Sequence, residues 1–172
     1  SKVKDVIERF GREHGIHLRQ DTQANNEWVV DGYGGGMVCK GMHGSLQGRP
    51  ADLFLIEDPI KDAEQAMSPT VMQKHWDWFM TVAYSRLGPK APVVVVTTRW
   101  GKNDLCGRIL REAKETGEGW QVIKFPALAL EGDLLRRQPG EALWPERVPQ
   151  KRLEMIREQR GRWFAACWQQ EP

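Results

Sequence analysis

The apolar positions of the chain fall into patterns that change with position. Val3, Val6, Ile7 and Phe10 recur at helical spacing, which predicts a helix over residues 3–10 that ends at Gly11 or Gly15. A polar stretch over 19–27 leads to Trp28, Val29 and Val30, a short strand, and a second short strand follows near Met37–Cys39. Gly32, Gly34, Gly35 and Gly36 lie between them; a phosphate cradle would use such glycines, but a hairpin turn accounts for them and is the preferred reading. Two longer runs, DLFLIED (52–58) and PVVVVTT (92–98), are apolar without alternation, the pattern of strands covered on both faces in a parallel sheet. Between them, Ser68 and Pro69 mark a helix start, Trp76, Phe79, Met80, Ala83 and Leu87 form its stripe, and Gly88-Pro89 stops it. Strand, helix, strand in this order is a parallel crossover unit.

Asn103 is the expected N-cap of a further helix that reaches about Glu115 and buries Leu105, Ile109 and Leu110; Gln121–Phe125 is expected to be another strand. Past Pro126 the stretch is punctuated by Pro139-Gly140, Trp144-Pro145 and Pro149, with a helix near 150–160. The expected organisation is a core over 1–127 and an appendage or linker over 128–172.

Composition narrows the function classes. The chain has 172 residues, 40% of them hydrophobic and 28% charged, with a formal net charge of +2. That balance argues against disorder, a collagen-like repeat or a strongly basic nucleic-acid tail. No apolar run approaches the ~20 residues of a membrane span, and SKVKDVIERFGREHG lacks the apolar centre of a signal peptide. Cys39, Cys106 and Cys167 are odd in number and far apart, the pattern of reduced thiols in a cytosolic compartment.

The segment richest in chemistry is DLFLIEDP, an apolar run closed by Glu57 and Asp58. Ligands of open α/β sheets bind beyond the carboxyl ends of the strands, where these acids would project. Adjacent carboxylates repel unless a cation or proton is shared, and Mg²⁺ with a nucleoside triphosphate would resolve the conflict. An acidic helix start or a surface ion pair would explain the same residues. Asp52, five positions before Glu57, falls on the opposite face of an extended strand and is not expected in the site. The second run ends in Thr97, Thr98 and Arg99, hydroxyls and a guanidinium beside the acid-tipped strand, although β-propensity and a surface Arg would account for them too. Arg49, in the glycine-flanked turn GSLQGRP, has the outward placement an arginine finger needs, while simple solvent exposure is the commoner fate.

Other candidates are weaker. The phosphate loop G-x-x-x-x-G-K-[ST] does not occur in these residues, so the chain alone is expected to bind ATP poorly. Cys39 and His43 are four apart without a second pair at zinc spacing, His14 and His17 sit near a helix end, and no G-x-S-x-G elbow supports nucleophilic catalysis.

Five segments in order, GSLQGRPADLFLIEDPIKDAEQA, HWDWFMTVAYSRL, VVVVTTRWGKNDLCGRIL, GEALWPERV and FAACWQQEP, resemble the large terminase subunit of tailed bacteriophages and prophages. The resemblance covers nearly the whole chain. It implies the later part of a RecA-like (ASCE) P-loop NTPase fold, a parallel-type sheet flanked by helices and incomplete without its phosphate loop, leading towards a nuclease domain. It implies an ATPase that packages double-stranded DNA, with ATP and Mg²⁺ as cofactors. The implied partners are a portal protein, a procapsid, a small terminase subunit and further copies in a motor, all in the bacterial host cytoplasm. By resemblance Glu57 is the Mg²⁺-binding acid, Asp58 the catalytic acid, Thr97 and Thr98 the coupling motif with Arg99 beside them, and Arg49 the arginine finger. The first acid of the family is more often Asp, so Glu57 is a departure. A non-enzymatic docking module, a degenerate prophage remnant and a metal-dependent nuclease are the alternatives.

Overall fold

The computed structural model describes residues 2–172 apart from His43, Ser45 and Gln47, and the side chain of Gln23. It is a mixed α/β structure that divides into two compact units, Ser1–Gly48 and Arg49–Pro172. The expected boundary at 127/128 does not coincide with this division.

The first unit opens with α1 (Lys2–Phe10) and a 3₁₀ turn, Gly11–His14, closed by Gly15 in the left-handed conformation. None of the α1 side chains is buried. A three-stranded antiparallel sheet follows, β1 (Leu18–Ala24), β2 (Glu27–Val30) and β3 (Gly36–Val38), in the order β1-β2-β3. The glycine run is the hairpin between β2 and β3: Gly32 and Gly34 have φ of 75° and 65°, a region side chains avoid, and the Val30 N–H donates to the Gly35 carbonyl. Strand β1, LRQDTQA, is an addition to the expected elements.

The second unit is built on two parallel strands, β4 (Phe54–Glu57) and β5 (Val93–Val96), paired in register from Phe54↔Val93 to Glu57↔Val96. Between them run α2 (Ala63–Met67), capped by Asp62, and α3 (Pro69–Trp78), capped by Ser68 with Pro69 in the first turn. A π turn, Phe79–Ala83, and a 3₁₀ turn, Tyr84–Arg86, carry α3 onward. Trp78 stands over Phe54 with ring centroids 6.0 Å apart, and Ile56 is buried on the same face of the strand. The opposite face is bare. Leu55, Val94 and Val96 are 52%, 42% and 55% exposed, so the expectation of strands covered on both faces is corrected. The β-branched run reflects strand propensity without a second covering layer among the described residues.

After β5 comes α4 (Leu105–Thr116), which packs against α3 and buries Leu105 and Ile109; Leu110 is only half-buried. Gln121–Phe125 is coil, not the expected strand: Val122, Ile123 and Phe125 are exposed, and the Gln170 side chain meets the Phe125 backbone where a ladder partner would be required. Residues 126–172, which include the expected appendage or linker, gather around a core of their own. Ala127, Leu128, Ala142, Leu153 and Phe164 make one hydrophobic cluster, supported by Val148 and Ile156. The later elements are α5 (Gln150–Gln159) and α6 (Gly161–Trp163), which runs into a π turn, Phe164–Trp168. Trp163 meets Trp100 edge-on at 5.9 Å. No described helix is long and apolar enough to cross a membrane.

Candidate functional site

Parallel pairing brings the carboxyl ends of β4 and β5 to one edge, and with them most of the residues singled out in the sequence. The Asp58 N–H donates to the Val96 carbonyl at 2.9 Å, which extends the ladder by one residue beyond Glu57. The Thr98 N–H then donates to Asp58 Oδ1 at 3.0 Å. Asp58 achieves this with φ of 37°, a left-handed conformation that costs a non-glycine residue on the order of 1 kcal/mol. Strain of this kind persists where the surroundings over-determine it. The backbone of Asp58 is held by β5, and its carboxylate by the Thr98 amide.

Glu57, on the strand face opposite Ile56, is exposed, and so is Asp58. An ionised carboxylate offers about four lone-pair sites, so the one bond from Thr98 leaves Asp58 capacity to accept more. Thr97 and Thr98 are half-buried, and the Thr97 hydroxyl donates to the Thr98 carbonyl at 2.9 Å. Two carboxylates, two hydroxyl side chains and a strained turn therefore meet at the tips of adjacent strands. Among the described residues no group of three or more His, Cys, Asp or Glu is arranged to hold a metal ion. Mg²⁺ takes as few as one or two carboxylates from a protein, so Glu57 and Asp58 are the residues here that could hold one.

Arg99 does not join the tips. Its guanidinium Nε donates to both oxygens of Asp104, at 3.1 and 2.9 Å, and its Nη2 to the Gly101 carbonyl. Asp104, 3% exposed, also accepts from the backbone N–H groups of Trp100, Gly101 and Gly107. It is the N-cap of α4, the place expected for Asn103. A carboxylate is favoured there because it faces both the positive helix end and a guanidinium. The loop closes so tightly that a Cβ on Gly107 would lie 2.2 Å from the Lys102 carbonyl oxygen. Asp104 was not among the expected site residues; its only signal in the sequence is a cap-forming residue before an apolar helix.

Arg49 is exposed and precedes Ala51, which bridges Leu87 at the opposite end of the strand pair from Asp58. Its neighbours Ser45 and Gln47 in GSLQGRP lie outside the described residues, as does His43 of the Cys39–His43 spacing. Asp52 is exposed and precedes β4, so it too is absent from the tip.

Asp133 and Arg137 form a second shielded ion pair in the 126–172 assembly, and the Arg137 hydrogen bond holds the Asp133 carboxyl below the usual carboxylate range. Arg137 also donates to the Pro126 and Glu141 carbonyls, so the pair is occupied in holding that assembly together. Comparison with protein-family models, with curated proteins and with solved structures gives no match to the chain.

Proposed function

We propose that the chain is the later part of the ATPase of a phage terminase large subunit, a P-loop NTPase that drives DNA into procapsids. The observation that carries this reading is the hydrogen bond from the Thr98 amide to Asp58 at the joined tips of β4 and β5. It links an acid suited to hydrolysis with a threonine suited to sensing the γ-phosphate, and a movement of one displaces the other. Glu57 would hold Mg²⁺, which when bound neutralises triphosphate charge. Asp58 orients the attacking water and accepts its proton. Thr97 and Thr98 carry the γ-phosphate state into β5. Arg99, locked to Asp104, supports the Thr98 loop instead of touching nucleotide. Arg49 sits far along the strand from its own tip, so a finger role would serve the site of a neighbouring copy in the motor.

The bare face of Leu55, Val94 and Val96 favours a second reading, a docking module that assembles without hydrolysis. One experiment separates the two. In the complete product of the reading frame, Asp58→Ala is expected to abolish Mg-ATP hydrolysis, a loss of at least about a hundredfold, while fluorescent nucleotide still binds. Turnover near the parental rate would remove Asp58 from the chemistry. A complete product that neither contains the phosphate loop nor binds nucleotide would leave the docking reading.

A further inference from the structure

Away from the strand tips, the second unit has a groove of about 330 Å³ between the apolar stripe after α3 and the last turns of α4. Its lining includes Trp76, Phe79, Tyr84 and Trp120, with Glu112 and Glu118 among them. Phe79 is buried at its base, 5.9 Å from the Trp76 ring and 5.6 Å from the Tyr84 ring, which it meets edge-on. The Tyr84 hydroxyl donates to Glu118 Oε1 at 2.5 Å. That hydrogen bond, with burial and the Glu118 charge, pushes the phenol up to about 12, so Tyr84 stays a neutral ring oriented by its acid.

Three features of this lining act in one electrostatic direction. Aromatic faces carry negative quadrupole potential and attract cations. Glu112 and Glu118 add two carboxylates. Glu112, Thr116 and Gly117 belong to the C-terminal end of α4, where the helix carries roughly half a negative charge. None of the described lining residues is Lys or Arg. An anion is repelled by such a groove, and a bare metal ion prefers an all-oxygen shell to aromatic walls. A neutral apolar ligand would make no use of the carboxylates. The volume is at the lower end of the roughly 300–1,000 Å³ of small-molecule pockets.

We propose that this groove binds a small organic cation with apolar substituents, of the quaternary or alkylated ammonium class. The proposal does not depend on the ATPase reading, because it uses none of the strand-tip residues.

Calorimetric titration of the chain with choline and with 3,3-dimethylbutan-1-ol, its uncharged isostere, is the test. Choline is expected to bind about tenfold more tightly than the isostere. Glu112→Gln combined with Glu118→Gln should remove most of that preference, and Trp120→Leu should weaken choline by a similar factor. These three residues are not buried, so the variants are expected to melt with the parent, and a Tyr84→Phe variant, which keeps the ring, should still prefer choline. Equal affinity for the two probes, no binding of either at millimolar concentration, or an undiminished preference in the double Gln variant would each overturn the proposal.

Discussion

Asp58 and Asp104 stand on either side of one short segment, the end of β5 and the loop into α4, yet the fold treats them in opposite ways. Asp104 is buried and accepts from Arg99 and from three backbone amides. Asp58 is exposed, takes one amide from Thr98, and holds a left-handed backbone. A carboxylate whose lone pairs are filled by its own chain is a structural element. One that is held by its backbone and left open at its oxygens has capacity for water or a cation. The difference teaches that the acid most elaborately bonded here is the scaffold, and the acid with the strained backbone is the one left able to accept more, as the proposed function requires.

The contrast is broken most forcefully at Asp104. Asp104→Ala removes a helix cap and leaves the Arg99 guanidinium, itself largely shielded, without its partner. Removing one member of a buried pair costs about 3–5 kcal/mol. Chemical denaturation should record a loss of that size for the second unit, along with release of the loop that carries Thr98. A loss below about 1 kcal/mol would place Asp104 with ordinary surface caps.

At Asp58 the expected stability change is small. Asp58→Gly relieves the left-handed conformation, worth on the order of 1 kcal/mol, and gives up the hydrogen bond to Thr98, worth about the same. Denaturation midpoints within about 1 kcal/mol of the parent are expected. The two aspartates then separate cleanly: the one that is cheap to remove from the fold is the one whose removal stops hydrolysis under the proposed function. A destabilisation rivalling that of Asp104→Ala would make Asp58 a structural residue as well.

Much of this arrangement is legible in the sequence, because it rests on runs that need no distant partner to be recognised. DLFLIED and PVVVV announce strands, though not that one face stays bare, Ser68-Pro69 announces a helix start, and parallel pairing then forces the carboxyl ends of the strands together. What is not legible depends on a partner. Strand β1 is mostly polar and exists because β2 lies beside it. QVIKF has strand composition but pairs with no strand among the described residues, and a glutamine side chain bonds its backbone instead. Asn103 and Asp104 are both good caps, and the partners that favour Asp104, the Arg99 guanidinium and the backbone amides of the folded loop, are visible only in the structure. The groove is the extreme case. Trp76 and Phe79 read as core stripe, while Glu112, Glu118 and Trp120 lie more than thirty positions away and gain meaning only when α3 and α4 pack together.

The last expected effect is the most local and touches neither strand tip. Cys106, in the first turn of α4 beside Asp104, has its thiol pushed up to about 11 from 9.0, by burial first and then by the Asp104 charge, with Arg99 opposing. Since the thiolate is the nucleophile, alkylation of native Cys106 at pH 8 should run about a hundredfold slower than that of a thiol with the ordinary value. Exposed Cys39, labelled in the same experiment, gives the rate of an accessible thiol. The folded value lies above the unfolded one, so the stability linked to this thiol is complete below pH 9 and is lost as pH rises towards 11. Alkylation followed by mass spectrometry therefore reads the closure of the Asp104 loop without unfolding the strand tips. Labelling of Cys106 as fast as Cys39 in the parent chain would mean that the Asp104 cluster is open in solution, and the contrast with Asp58 would lose its rigid member.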